Sequence, residues 1–154
     1  MIRVPFSATD DELMQLVYPW LDALADEDYA RVYENVGYAM AYGAGAAGIC
    51  RDIQRYRAPE LYPDVSTFRV SDWRTAAGGN ANPSVLVRRY EPSQDLPIVI
   101  TIELDLPLNG RWSDLEAHFV VTVASPNDSE GVLWLEDIVR RIAASTDAWD
   151  LPKP

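Results

Sequence analysis

The sequence predicts an α+β fold, with N-terminal helices packed on one face of a curved antiparallel sheet of four to five strands. Three observations carry this expectation. Apolar residues recur at helical spacing from Leu13 to Tyr56. After Pro63 the period falls from about 3.6 to 2. The connections between the later strands are too short for crossover helices, which leaves antiparallel pairing. The 154 residues are expected to form one domain, with helices over about 10–58, a sheet over about 65–139, and a short C-terminal helix or tail to 154.

The first helix opens on Thr9, with Glu12 three residues on, the pattern of a capping box. Leu13, Leu16, Val17, Trp20, Leu21 and Leu24 form its apolar stripe. Pro19 lies inside that stripe and lacks an N–H, so a kink or a split is expected there. Asp26-Glu27-Asp28 breaks the stripe and supplies carboxylates for the positive end of a second helix. That helix buries Tyr29, Val32, Tyr33, Val36 and Met40. Ile49, Ile53 and Tyr56 mark a third, ended by Pro59 and Pro63.

Strands are expected at Phe68–Val70, Val85–Tyr90, Ile98–Leu106, Leu115–Val123 and Val132–Leu135. Residues 137–144 fit a closing helix or a continuation of the last strand to Val139. Ala76–Pro83, AAGGNANP, has the composition of a flexible loop. Trp20, Trp134 and the Tyr29/Tyr33 pair are expected in the core, while Trp73 and Trp112 lie near loops and could line a rim.

Gly43, Gly45 and Gly48 spell G-x-G-x-x-G, the spacing of a dinucleotide-binding turn. That fingerprint needs a strand before it and a helix after it. Tyr29–Met40 reads as helix, and the later strands pair as hairpins, so no nucleotide-binding half can follow. The glycines are expected to serve as a joint between helices. No cofactor is implied.

The stretch Ile100–Val121 is the most informative. Asn109-Gly110 is the preferred pair for a two-residue type I′ turn. Leu108 then faces Arg111, and counting outward aligns Leu104 with Leu115, Ile102 with Ala117 and Ile100 with Phe119. The opposite face reads Asp105 against Asp114, Glu103 against Glu116 and Thr101 against His118, the only histidine. Directly opposed like charges cost roughly 0.2–1 kcal/mol per pair. Arg88 or Arg89 should share that face, with Arg111 and Arg74 as further counter-charges. Glu103, Asp105, Asp114, Glu116, His118 and Arg88 are therefore the candidate binding residues.

Three readings fit the face: solvated charges, a docking surface for a basic partner, or a chemical site. In the last, His118 beside a carboxylate would be the candidate general base. The carboxylates could also hold a hard cation such as Mg²⁺ or Ca²⁺. One histidine and one cysteine do not make a structural zinc site, so no metal is assigned.

Net charge is −11, from 24 acidic and 13 basic residues. That repels nucleic acid and anionic membrane surfaces. A basic protein partner, a small neutral ligand or a second copy of the chain stays open. Cys50 is alone, so a disulfide framework is excluded, which fits the reducing cytoplasm. Neither a signal peptide nor a membrane-spanning run is apparent. The leading expectation is a cytoplasmic, non-enzymatic binding module with an acidic face, such as an immunity protein that neutralises a toxin.

Leu24-Ala25-Asp26-Glu27-Asp28-Tyr29 and Ile53-Gln54-Arg55-Tyr56 resemble the helical start of small bacterial proteins of unknown function. The sheet adds Asp105-Leu106-Pro107-Leu108, Trp112-Ser113-Asp114-Leu115 and Leu135-Glu136-Asp137-Ile138 to that likeness. In those proteins a histidine follows the Asp-Ile pair; Val139 stands there here. The order of elements also resembles the nuclear transport factor 2-like cone, which implies a curved sheet around a pocket. That cone hosts isomerases, dehydratases and binding domains, and the alternative it raises is a small-ligand binder or enzyme using His118 with a neighbouring carboxylate.

Overall fold

The computed structural model describes residues 1–141. The chain runs β1 (Ile2–Pro5), α1 (Asp10–Ala25), α2 (Tyr29–Val36), a 3-10 turn (Ala39–Ala41), α3 (Ala46–Gln54), β2 (Val85–Arg89), β3 (Ile98–Leu108), β4 (Arg111–Thr122) and β5 (Glu130–Arg140). The five strands form one antiparallel sheet in the order β1-β5-β4-β3-β2. This is the α+β arrangement expected, with the helices preceding β2 to β5. β1 is an addition. Four residues cannot display a period, and β1 becomes a strand only by pairing with the distant β5, Ile2 against Leu133.

The capping box of α1 forms: the Glu12 N–H donates to Thr9 Oγ1 at 3.2 Å, and the Thr9 N–H donates to Glu12 Oε1 at 3.1 Å. The helix does not split at Pro19: α1 runs through it as one helix. Pro19 sits on the exposed side, while Leu13, Val17, Trp20, Leu21 and Leu24 are buried on either side of it. A proline in a helix costs about 3 kcal/mol, whereas each large apolar side chain buried contributes about 1.5–3 kcal/mol. The packed stripe therefore outweighs the missing bond.

The glycine-rich stretch is a joint between the 3-10 turn and α3, with no strand before it. Gly45 begins α3 at φ +61°, and a Cβ on Gly48 would come within 3.0 Å of Ala41 Cα. Arg51 closes the joint by donating to the carbonyls of Met40 and Ala41 at 2.7 and 3.1 Å.

Two expectations between α3 and β2 need correction. Phe68–Val70 forms no strand, only a single bridge from Val70 to Leu108. Its backbone is satisfied by side chains instead: Gln54 bonds both the N–H and the carbonyl of Phe68, and the Arg69 N–H donates to Asn109 Oδ1. The loop at Ala76–Pro83 is pinned along the β3–β4 turn rather than free. Ala77 N–H reaches the Gly110 carbonyl, Trp112 N–H the Gly78 carbonyl, and Asn80 N–H the Trp112 carbonyl, at 3.0, 3.1 and 2.8 Å.

The β3–β4 turn forms at Asn109-Gly110 with Leu108 opposite Arg111. Beyond Pro107 and Trp112 the pairing departs from the expected one. β4 spends Ser113, Asp114 and Leu115 where β3 spends Leu106, and the register moves by two. Leu104 now faces Ala117, Ile102 faces Phe119 and Ile100 faces Val121. Ser113 builds this bulge. It is 0% exposed, its Oγ donates to the Leu106 carbonyl at 2.5 Å, and it accepts from the Leu115 N–H at 3.0 Å. A shift of two keeps side chains on their original faces, so the core face survives from Ile100 to Leu104; a second irregularity between Ile98 and Ile100 sets Ile98 opposite Thr122. Phe119, Ile102 and Leu133 from that face join Leu13, Ile49 and Ile53 from the helices in one core.

β5 continues to Arg140, so Asp137–Val139 is strand rather than helix. The expected helix or tail from 142 onward lies outside the described residues.

Candidate functional site

The polar face of β3 and β4 lies opposite the core face, and the bulge decides who meets whom on it. Asp105 faces Glu116, Glu103 faces His118, and Thr101 faces Val120. The expected pairs Asp105–Asp114, Glu103–Glu116 and Thr101–His118 are not formed. One like-charge pair remains, and Glu103 gains a histidine.

Asp105 is 2% exposed. Its Oδ2 accepts from the Ser84 N–H at 2.8 Å, Asn80 Nδ2 at 3.0 Å and Arg141 Nη1 at 3.1 Å. Its Oδ1 lies 3.1 Å from the same Arg141 nitrogen but has no hydrogen-bond partner among the described residues. Burial pushes the Asp105 carboxyl above its ordinary pKa, and the charge of Glu116 adds to that, against the opposing pull of Ser84 and Arg141. Arg141 Nη1 also stands 3.7 Å from Glu116 Oε2. One guanidinium thus serves both members of the like-charge pair, which is why they tolerate each other.

His118 Nε2 lies 3.1 Å from Glu116 Oε1. Arg88 takes the place expected of it: it pairs with Thr101 in the ladder, and its Nη1 is 3.8 Å from Glu103 Oε1. Glu103, Glu116 and His118 each offer one ligand atom, and the three atoms lie within 4.8 Å of one another. These residues share a sheet face with Val120, which is buried yet outside the main core. His118 therefore faces away from the space between sheet and helices.

Asp114 leaves the group. Within the bulge it accepts from the Tyr56 hydroxyl at 2.5 Å and from Arg140 Nε at 3.0 Å. Burial, and then this bond to Asp114, push the Tyr56 hydroxyl pKa well up. Arg140 reaches on to Glu60 and to the Arg57 carbonyl, so Asp114 ties the end of the helical half to β5. Arg74 and Arg111 do not join the polar face either: Arg74 pairs with Asp22 at 2.8 Å, and Arg111 lies over the Tyr62 ring.

Arg141, Asn80 and Ser84 were not among the sequence-based candidates. A signal existed for the first. Arg140 ends β5 and Arg141 follows it, and adjacent residues of an extended chain point to opposite faces, so one arginine serves Asp114 and the other Asp105.

A second feature lies where the chain between α2 and the 3-10 turn passes β5. An open groove of about 380 Å³ is lined by Tyr33, Tyr38, Val120, Thr122, Trp134 and Glu136. Trp134 and Tyr33, expected in the core, are 38% and 40% exposed. Trp134 Nε1 donates to Thr122 Oγ1 at 2.8 Å, and its ring packs 3.5 Å from where a Cβ on Gly37 would stand. Tyr38 donates to Asp52 Oδ2 at 2.6 Å; burial first and this bond second push its hydroxyl pKa up. Trp73 and Trp112, the expected rim residues, border a smaller cavity of about 130 Å³ beside α1, where Trp73 stacks on Tyr18 at 4.2 Å.

No family model, curated protein or solved structure matches this chain. Among the described residues, no helix is long and apolar enough to cross a membrane.

Proposed function

We propose that this protein is a non-enzymatic binding module that engages a basic protein partner. One observation carries the reading: an aromatic groove with an acidic wall, in a chain of net charge −11. Tryptophan and tyrosine dominate the energetics of protein interfaces. An aromatic face beside a carboxylate suits the guanidinium or ammonium of a partner's Arg or Lys. Glu136 supplies that carboxylate, and Asp137 and the exposed Glu34 follow Glu136 and Tyr33 in sequence. The overall negative field would speed encounter with a basic surface.

A cytosolic immunity protein held against a basic toxin is the setting this chemistry suits best. The nuclear transport factor 2-like arrangement, which the element order resembles, also hosts plain interaction domains and agrees with a binding role. The polar cluster around His118 is a weaker docking surface than its charges suggest, because Arg88 and Arg141 already neutralise much of it.

The test is affinity capture followed by binding measurements on each purified candidate. Trp134→Ala should weaken binding roughly 30-fold, the scale of an interface hot spot. Glu136→Gln should weaken it less, and raising salt from 50 to 300 mM should weaken it further. Binding unaffected by both substitutions and by salt would refute the reading. A chain that sediments as a homodimer dissociated by Trp134→Ala would assign the groove to a second copy instead.

A further inference from the structure

We propose that Glu103, Glu116 and His118 form a binding site for a divalent transition-metal ion, Zn²⁺ being the type case. The site is separate from the groove and does not depend on the partner reading. Its donor set is one imidazole nitrogen and two carboxylates, with all three ligand atoms already within 4.8 Å of one another. Zinc bonds of about 2.0–2.2 Å place ligand atoms roughly 3.2–3.6 Å apart. His118 Nε2 and Glu116 Oε1, at 3.1 Å, nearly meet that spacing. Glu103 closes the rest by rotation, since its contact to the exposed Arg88 is loose at 3.8 Å.

Charge points the same way. Asp105, Glu103 and Glu116 gather on one sheet face against Arg88 and Arg141, which among the described residues leaves one carboxylate uncompensated. Asp105 lies directly across from Glu116, and among the described residues its buried Oδ1 has no hydrogen-bond partner, only the Arg141 nitrogen at 3.1 Å. A cation beside Glu116 relieves a carboxylate pair that a single arginine nitrogen now shares. Asp105 in turn keeps Arg141 engaged, which frees Glu116 Oε1 to turn toward an ion.

The imidazole selects the metal. Mg²⁺ and Ca²⁺ want sets of six or more oxygens, whereas imidazole with carboxylates suits zinc and its neighbours. Three protein ligands leave a coordination position for water or for a partner's side chain. That is the pattern of an open zinc site rather than a closed structural one.

His118 is the only histidine, so its ring resonances report occupancy without ambiguity. Tag-free full-length protein, stripped with chelator, is titrated with Zn²⁺ and followed by NMR and calorimetry. One equivalent should shift the His118 ring signals at micromolar metal. His118→Gln and Glu103→Gln should each weaken binding at least tenfold, and Cys50→Ser should leave it unchanged. Circular dichroism checks that each variant folds, and the partly exposed Glu103 provides a second readout if His118→Gln does not. Ring signals unmoved by excess Zn²⁺, an affinity equal to the unsubstituted protein's in both substituted chains, or Mg²⁺ binding tighter than Zn²⁺ would each overturn the proposal.

Discussion

Replacing Ser113 by alanine should destabilise the protein far more than the loss of one hydroxyl from an ordinary site. Ser113 is fully buried, and both partners of its Oγ are buried backbone groups, the Leu106 carbonyl and the Leu115 N–H. Alanine offers neither bond and leaves too little room for a water. Each buried backbone group left unpaired costs about 1–3 kcal/mol, so the pair costs about 2–4 kcal/mol after some relaxation. For a chain of this size each kcal/mol lowers Tm by roughly 2–4 °C, which predicts a fall of roughly 4–16 °C. Urea unfolding by circular dichroism, with an unchanged m-value, measures it directly. A loss below about 0.5 kcal/mol, the range of neutral surface changes, would show that the bulge does not depend on this hydroxyl. The reasoning about register would then fail with it.

Other consequences follow from particular contacts. Gly79→Ala should cost more than Gly78→Ala. Both sit at positive φ, +74° and +77°, a conformation that costs a non-glycine residue about 1–2 kcal/mol. Only at Gly79 would the Cβ also collide with the Trp112 carbonyl, and equal destabilisation in thermal melts would contradict the pinned loop. Pro19→Ala should stabilise α1 by up to about 3 kcal/mol, read as a higher urea midpoint, since the packing that overrides the proline stays in place. Asp52 should contribute to acid sensitivity. Burial raises its pKa, but the bonds from Arg51 and Tyr38 outweigh this and hold it below the ordinary 3.8. A lowered folded pKa means stability that is present above the unfolded value and lost as pH falls through the folded one. Asp52→Asn should therefore be less stable at pH 7, with the two proteins converging below about pH 4. Parallel stability curves from pH 7 to 3 would exclude that role.

Much of the architecture is legible in local chemistry. Thr9 and Glu12 mark the start of α1, Asp28 accepts from the Arg31 N–H to start α2, and Asn109-Gly110 sets the hairpin turn. Each signal acts within a few residues, so the sequence displays it whole. Face assignment is legible too, because alternation along a strand depends only on parity. This is why Glu103, Asp105, Glu116, His118 and Arg88 share a face as their spacing implies.

Tertiary structure alone decided which of them touch. A register slip of two leaves every face unchanged, so period-2 alternation cannot report it. The slip depends on Ser113 bonding backbone across the strand pair, a choice visible only once β3 and β4 have met. It exchanged two opposed glutamates for a glutamate facing a histidine, and it sent Asp114 to Tyr56 and Arg140. The same holds for β1 and for Trp134. A four-residue segment becomes a strand only against β5, and an aromatic residue lines a groove only because the chain at Gly37 passes beside it. Local sequence determines helices, turns and faces because their energies are local; distant pairings settled the register, the edge strand and the composition of both candidate sites.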